Sequence, residues 1–210
     1  DLASVLVHAA DEGILKEEAV LKGVDAGDRE EEVRQELIMF MVLLLVAGNE
    51  TTRNSITGGM QALIQNPEAR QRLIDDPSLI PQAVEEMVRW VSPVRSFIRT
   101  ATCDTELGGK QIKKGDRVLM CYGAANHDES EFENAGAFDI DRNPHHLGFG
   151  IGNHFCMGAN LARMEMRVAF EEILRRLPDI EFADDVGPQF APSALVRACQ
   201  HMYVKYTPEA

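Results

Sequence analysis

The pattern of hydrophobic and polar residues predicts a long helix early in the chain and two shorter helices after it. A charged lead at residues 28–36 is followed by an almost entirely apolar stretch at 37–47 and then by a polar helical run to about Gln65. Together these predict one long buried helix. Helices that begin at prolines are predicted for 67–75 and 81–90, because proline is tolerated in the first helical turn. Short helical patterns at 1–10 and 17–22 precede them.

The second half of the chain predicts short strands and one more long helix. Residues 92–100 are extended after Pro93, and the segments 103–107, 111–112 and 117–122 alternate in a way that predicts a small antiparallel sheet. A helix is predicted from about Ala159 to Leu177, followed by a hairpin at 190–207. Its inner stripe is predicted at Leu161, Met164, Val168, Ile173 and Leu177, with Arg163 and Arg167 on the outer face.

Composition argues against some classes of protein, among them nucleic-acid-binding and membrane-spanning proteins. A chain of 210 residues forms one domain, or two at most, and the formal net charge of −13 argues against a nucleic-acid surface. The four cysteines lie far apart without a CxxC pair, which favours reduced thiols in a cytoplasmic protein. Since no apolar run reaches the roughly 18 residues that a membrane helix needs, no membrane span is expected in this chain.

Two sites on the predicted helices conflict with plain helix formation or burial. The run Ala47-Gly48-Asn49-Glu50-Thr51-Thr52 places a glycine, an acid and two hydroxyls inside the long helix, where they cost stability. This conflict suggests a site, although a polar face toward solvent is the alternative. Glu86 and Arg89 are three residues apart, a spacing typical of exposed pairs, but their apolar neighbours indicate a buried pair.

The strongest candidate for chemistry is the segment FGIGNHFCMG at residues 149–158. Its three glycines allow a tight turn close to a flat ligand, and they lead to Cys156 just before the helix at Ala159. The positive end of that helix favours a thiolate, which suits a permanent metal ligand. The alternatives are a buried structural cysteine and a zinc site with His145, His146 and His154.

Four motifs in order, AGNETT, EMVR, FDIDR and FGIGNHFCMG, resemble the signatures of the cytochrome P-450 superfamily, soluble bacterial type. The resemblance covers nearly the whole chain. It implies a mainly α fold with a small antiparallel β region, in which residues 1–210 form a single domain, the C-terminal portion of the P-450 fold with the N-terminal portion absent. It also implies haem b, with Cys156 as the axial iron ligand, and dioxygen as co-substrate.

The resemblance also implies roles for further residues. Glu50 and Thr51 take the acid and alcohol roles in oxygen activation, and Ala47 and Gly48 leave room for oxygen. Glu86, Arg89 and Arg142 form a buried structural trio, while Arg99 and His154 reach the haem propionates. The remaining positions implied by the family are the loop residues Phe149, Gly150 and Gly158 and the substrate-facing residues Val94, Ser96 and Phe97. His145 and His146 have no implied role.

The implied activity is a monooxygenase that hydroxylates an apolar substrate, such as a terpenoid, a sterol side chain, a fatty or branched lipid, or an alkane. Its electrons are expected from a 2Fe–2S ferredoxin and an NAD(P)H-dependent reductase, because the chain carries no flavin or iron–sulfur motif. Docking is expected at Arg163 and Arg167. The alternatives are a truncated haem-binding domain without activity and a His/Cys zinc protein.

Overall fold

The structure, a computed structural model, describes residues 26–208, apart from the side chains of residues 26–30, 32 and 33. The short helices predicted at 1–10 and 17–22 lie outside this range. Contacts divide the chain between Asn49 and Glu50 into two compact units. The single domain over residues 1–210 stays a prediction.

Helix α1 runs from Ala26 to Gln65 and confirms the prediction of one long helix. Burial agrees with the prediction only in the second part of the helix, where Met60, Ala62 and Leu63 are at most 3% exposed. In the apolar stretch 37–47 the prediction of burial is wrong, since Leu45, for example, is 71% exposed. The reason is that burial depends on which elements pack against a helix and not on the helix's own composition. Among the described residues, no helix has the length and apolar character needed to cross a bilayer.

The shorter helices largely follow the predicted bounds, because proline and backbone geometry mark their ends. Ser92, just after α3, has a left-handed φ of 45° and is held by a hydrogen bond from its hydroxyl to the carbonyl of Arg89. The remaining described helices are α2 (Pro67–Asp75), α3 (Ile80–Val91), α4 (Tyr122–Ala125) and α5 (Ala159–Arg176), with 3₁₀ turns at Pro77–Leu79 and Gly152–His154.

One hydrophobic core lies between the end of α1, α2, α3 and α5. Close approach depends on Gly59, where an added Cβ would lie 2.8 Å from Phe170 Cζ and 2.9 Å from Met87 Sδ. The glycine therefore allows α3 and α5 to pack directly on α1. The core is formed by Met60, Leu63, Leu73, Ile80, Ala83, Val84, Met87, Val88, Ile140, Met166, Phe170, Leu174 and Ile180.

Helix α5 turns a different face to this core than its apolar spacing predicts. The buried residues are Ala159, Met166, Phe170 and Leu174. In the predicted inner stripe, Leu161, Met164 and Val168 are each 54% exposed, so the prediction is wrong for these three. Ile173 and Leu177 of the same stripe are half-buried against the core. The predicted stripe and the observed one both have helical periodicity. The contact of Phe170 with the surface of α1 at Gly59 decides which of them is buried. Arg163 lies on the same side as Met166 and Phe170, and is therefore not on the outer face.

The strands form antiparallel pairs and not the single small sheet that was predicted. Strand β1 (Ser96–Thr100) pairs with β4 (Arg117–Cys121), and β2 (Thr105–Leu107) forms a separate hairpin with β3 (Lys110–Ile112). The predicted C-terminal hairpin is likewise divided, because β5 (Glu181–Phe182) pairs with β8 (Val204–Lys205) around the pair of β6 (Gln189–Phe190) and β7 (Cys199–His201). A bridge between Val94 and Val196 joins the segment before β1 to the turn after β6.

Candidate functional site

The cysteine loop, defined here as residues 147–158, is closed by its own backbone. The Gly150 N–H donates to the carbonyl of Leu147 at 2.9 Å, and Gly150 has a left-handed φ of 70°. The Cys156 N–H donates to the carbonyl of Phe149 at 2.8 Å, and the Ala159 N–H donates to the carbonyl of Cys156 at 3.2 Å. The loop thus ends at the start of α5 with the Cys156 residue exposed.

Glu86 and Arg89 form a fully buried ion pair on α3. Arg89 Nε and Nη2 each donate to a Glu86 carboxylate oxygen at 2.7 Å. The other guanidinium N–H groups donate to backbone carbonyls of Asn126, Ala135 and Ala137 at 2.6, 2.9 and 3.0 Å. All five donors of the guanidinium therefore have partners. Because the pair is buried and all five donors have partners, it acts as a structural lock that joins α3 to the segment after α4.

Arg142 completes the trio more loosely. Its Nε lies 3.4 Å from Glu86, and its Nη1 donates to the carbonyl of Glu133 at 2.9 Å. The structure thus brings Glu86, Arg89 and Arg142 together as the spacing and the family resemblance implied. Glu86 also accepts the Asp139 N–H at 3.0 Å, so the pair holds the segment that leads to the cysteine loop.

Asn126 is a buried polar residue that supports the cysteine loop and that no motif in the sequence indicates. It is fully buried, and its Nδ2 donates to Ser92 Oγ at 2.9 Å while its Oδ1 accepts the Leu147 N–H at 2.8 Å. Its own carbonyl accepts from Arg89. Because these partners lie 21 to 37 residues away in the chain, no local pattern marks Asn126. It joins the end of α3 to the first residue of the cysteine loop.

The polar residues of α1 make hydrogen bonds within the helix and to β7. The Glu50 carboxylate accepts from Arg53 Nη2 at 2.7 Å and lies 3.3 Å from Asn54 Nδ2. The Asn54 Oδ1 accepts the Cys199 N–H at 2.9 Å, which joins α1 to β7. Thr51 is half-buried, and its carbonyl accepts from Ser55 Oγ at 2.8 Å. Ala47 and Gly48 are exposed on α1 in the other unit, and an added Cβ at Gly48 would meet nothing within 4 Å.

The residues expected to face the substrate lie on and just before β1, together with Arg99, one of the two residues expected at the propionates. The other, His154, is exposed in the cysteine loop. Val94 and Ser96 are half-buried, and Ser96 Oγ donates to the carbonyl of Ala194 at 2.9 Å. Phe97 packs edge-on against Tyr122 at 6.1 Å between ring centroids. Arg99 is exposed; its guanidinium lies 6.0 Å from the Phe97 ring, and its Nη1 donates to the carbonyl of Ile98 at 3.1 Å.

The two arginines expected at a docking surface have different surroundings. Arg167 is exposed on α5. Arg163 makes a bidentate pair with Glu85, with Nε–Oε1 at 2.6 Å and Nη2–Oε2 at 2.9 Å. Burial raises the pKa of Glu85, but hydrogen bonds from His146 and Arg163 outweigh it and lower that pKa to about 2. The charge of Arg163 is thus largely balanced inside the protein.

Comparison with known proteins decides the family. Residues 76–198 match the cytochrome P-450 family. The steroid C26-monooxygenase of Mycolicibacterium smegmatis is 42% identical over 176 residues, which cover 83% of this chain and 44% of that protein. The methyl-branched lipid omega-hydroxylase of Mycobacterium bovis is 54% identical over 149 residues, which cover 70% of this chain and 35% of that protein. The chain belongs to the cytochrome P-450 family.

Solved P-450 structures confirm the fold class of a mainly α protein with small antiparallel pairs. The crystal structure of a P-450 from Bacillus megaterium in complex with testosterone matches with a TM-score of 0.83 at 33% identity, covering 97% of this chain and 49% of that one. The chain spans less than half the length of the relatives that it matches. It covers 44% and 47% of two mycobacterial steroid C26-monooxygenases and 35% of the lipid hydroxylase.

P-450 proteins use haem and dioxygen, and the cysteine loop fits such a group. The exposed Cys156 thiol is flanked along the chain by apolar side chains that are also exposed to solvent. These are Ile151, Phe155, Met157 and Leu161, which are 53% to 74% exposed. An apolar plate bound at the thiol would remove these side chains from water. Among residues 26–208, no three His, Cys, Asp or Glu side chains come together as a metal cluster, so the zinc alternative finds no ligand set there.

Proposed function

We propose that this chain is the haem-binding portion of a monooxygenase in which the Cys156 thiolate would ligate the iron of haem b. The observation that carries the proposal is the exposed Cys156, held by the bond from its N–H to the Phe149 carbonyl at 2.8 Å and flanked by exposed apolar side chains. When bound, the haem supplies the chemistry that uses dioxygen, two electrons and two protons to insert one oxygen atom into a C–H bond.

The residues of the loop have distinct parts in holding this group. Cys156 lies three residues before α5, whose positive N-terminal end favours the anionic form of sulfur. Gly150 permits the tight turn, since a Cβ there would come within 3.2 Å of the His154 carbonyl oxygen. His154 and Arg99 are both exposed and supply the cations or donors for the propionates. A Cβ at Gly158 would lie 3.9 Å from Cys156 Sγ, and the Phe149 carbonyl accepts the Cys156 N–H.

Proton delivery falls to Glu50 and Thr51. The Glu50 side chain is 43% exposed, so solvent reaches its carboxylate, and Arg53 and Asn54 donate to its Oε2. Thr51 is the next residue of α1 after Glu50 and, in this proposal, orients the proton donor with its hydroxyl. An apolar pocket excludes bulk water, and a hydroxyl beside a carboxylate is an economical proton path there.

The substrate proposed is an apolar molecule such as a sterol side chain, a terpenoid, a fatty or branched lipid, or an alkane. The support comes from relatives named for steroid and methyl-branched lipid oxidation and from a neighbour solved with testosterone. Val94, Ser96 and Phe97 are proposed to line the pocket. The bond from Ser96 Oγ to the Ala194 carbonyl holds the turn between β6 and β7 beside them.

A 2Fe–2S ferredoxin with its NAD(P)H-dependent reductase is proposed as the electron source, in the cytoplasm, where the four free cysteines stay reduced. The docking surface is proposed around α5 after Cys156. Arg167 is its main cation, because Arg163 is already paired with Glu85. Arg167→Glu should slow reduction by ferredoxin at low salt and weaken its salt dependence without changing haem content.

Two variants of the intact protein test the function. Cys156→Ala should abolish the strongly red-shifted Soret band of the reduced carbon-monoxide adduct, because no other thiol lies in the loop. Retention of that band would remove Cys156 as the ligand. Thr51→Ala should keep haem and substrate binding and still consume reductant, but should release peroxide in place of hydroxylated product. Normal product yield per electron pair in Thr51→Ala would contradict the proton-delivery role, and a haem-loaded protein that hydroxylates none of a lipid panel would favour a binding domain without activity.

A further inference from the structure

His146, to which the family resemblance gives no role, lies at the start of the cysteine loop with its side chain only 3% exposed. Its Nδ1 accepts the Gly148 N–H at 3.0 Å, and its Nε2 lies 3.2 Å from Glu85 Oε2. A ring nitrogen that accepts a backbone N–H carries no proton. Nε2 must then carry the proton and donate it to Glu85, so the two contacts together select one neutral tautomer.

The same Glu85 carboxylate also binds the other end of the loop. Arg163, on α5 after Cys156, donates to both Glu85 oxygens at 2.6 and 2.9 Å. Glu85 therefore connects His146, which precedes the loop turn, with Arg163, which follows the cysteine. Both partners are distant from it in sequence, by 61 and 78 residues.

Between these two partners lies Phe149. Its ring is 5.6 Å from the His146 ring and 4.5 Å from the Arg163 guanidinium carbon. The Phe149 carbonyl accepts the Cys156 N–H at 2.8 Å. A shift of Phe149 would therefore move the backbone bond that holds the cysteine. Gly148 allows little adjustment on the opposite side, because its Cβ position is 2.5 Å from Val88 Cγ1 on α3.

We propose that His146 is a positioning residue for Cys156, acting through Gly148 and Phe149, with Glu85 selecting its tautomer. The inference rests on the proposed thiolate ligation of haem. In this arrangement the acceptor at Nδ1 matters more for the loop than the donor at Nε2, because only Nδ1 contacts the loop backbone directly. Glu85 holds the His146 ring in place, and Arg163 holds the Phe149 ring in place.

Two amide substitutions separate the two nitrogens. His146→Asn places an amide oxygen near the position of Nδ1 and keeps the acceptor for Gly148, whereas His146→Gln reaches the position of Nε2 and keeps only the contact with Glu85. His146→Leu removes both. His145→Asn is the matched control, because His145 is the exposed neighbour in sequence.

The readout is the ratio of neutral-thiol to thiolate forms in the reduced carbon-monoxide spectrum of the haem-loaded intact protein. We expect about a fivefold rise in that ratio for His146→Gln and His146→Leu, the equivalent of about 1 kcal/mol for one lost hydrogen bond. His146→Asn and His145→Asn should stay near the unmodified protein. Equal effects of Asn and Gln at position 146, or no effect of Gln and Leu, would overturn the proposal.

A second measurement does not depend on activity or on the ligation ratio. Nitrogen-15 NMR of histidine-labelled protein in the diamagnetic reduced carbon-monoxide form should show His146 with a bare Nδ1 and a protonated Nε2, and Glu85→Gln should weaken that preference. A protonated Nδ1 would refute the tautomer assignment. If the unmodified protein shows no thiolate ligation, the proposed function fails. The NMR result, recorded then on haem-free protein, still tests whether Glu85 selects the tautomer of His146.

Discussion

Replacing Arg89 with Lys tests how much the buried lock on α3 contributes to stability. Arg89 and Glu86 are both 0% exposed, and the five guanidinium donors make five hydrogen bonds at 2.6 to 3.0 Å. A lysine ammonium keeps the charge but has only three donors, so at least two buried acceptors lose their partners. At about 1–3 kcal/mol for each stranded group, the variant should lose about 2–6 kcal/mol of stability, with about 3–5 typical of a broken buried pair.

The assay is urea unfolding of the intact protein followed by circular dichroism, in which a loss of about 3 kcal/mol lowers the midpoint by about 1–2 M. The matched control is Arg72→Lys. Arg72 makes the same bidentate contact with Asp141, at 2.7 and 2.9 Å, but both side chains are about half exposed. Water replaces the lost partner there, so the control should leave the midpoint nearly unchanged. An Arg89→Lys midpoint equal to that of Arg72→Lys would refute the argument from burial.

Three further predictions concern the supports of the cysteine loop. Although burial raises the pKa of Glu85, hydrogen bonds from His146 and Arg163 lower it from 4.5 to about 2, so the stability that this carboxylate contributes is present above pH 4.5 and is lost as the pH falls toward 2; Glu85→Gln should flatten acid unfolding curves in that window, and an unchanged curve would contradict this. Asn126→Ala should cost about 1–3 kcal/mol in urea unfolding, because the half-buried Leu147 N–H loses its acceptor and Ser92 Oγ loses its donor; a neutral effect would count against this role of Asn126. Gly148→Ala should lower haem content, and Val88→Ala should partly restore it by removing the methyl group 2.5 Å away; failure of that rescue would point to another cause.

Local features of the sequence were enough to predict several elements. The helix at residues 67–75 was predicted with the bounds that the structure shows, since Pro67 sets its start and the dihedral preference of proline is a property of the residue itself. The start of α5 at Ala159, directly after the cysteine loop, was also predicted. The spacing of Glu86 and Arg89 placed both on one helical face, and the apolar neighbours indicated burial, which is complete in the structure.

Where the sequence allowed two equivalent patterns, the tertiary structure decided between them. Helix α5 carries two stripes of apolar residues, and the one with Met166, Phe170 and Leu174 is buried because Gly59 opens space for Phe170. This choice turns Arg163 inward to Glu85 and Phe149. Strand pairing was undecided for the same reason. Alternation marks a strand, but it does not say that residues 96–100 pair with 117–121.

The sequence by itself determined the candidate residues: the cysteine and the glycines around it, proposed to hold the haem, and the structural acid–arginine pair of α3 occur at spacings that are readable along the chain. Only the tertiary structure showed what holds them in place. Glu85, Asn126 and His146 act through hydrogen bonds to residues between 21 and 78 positions away, and no local pattern encodes such contacts. The physical reason is that helix and turn preferences arise from neighbouring residues, whereas a buried polar contact exists only where packing brings distant segments together.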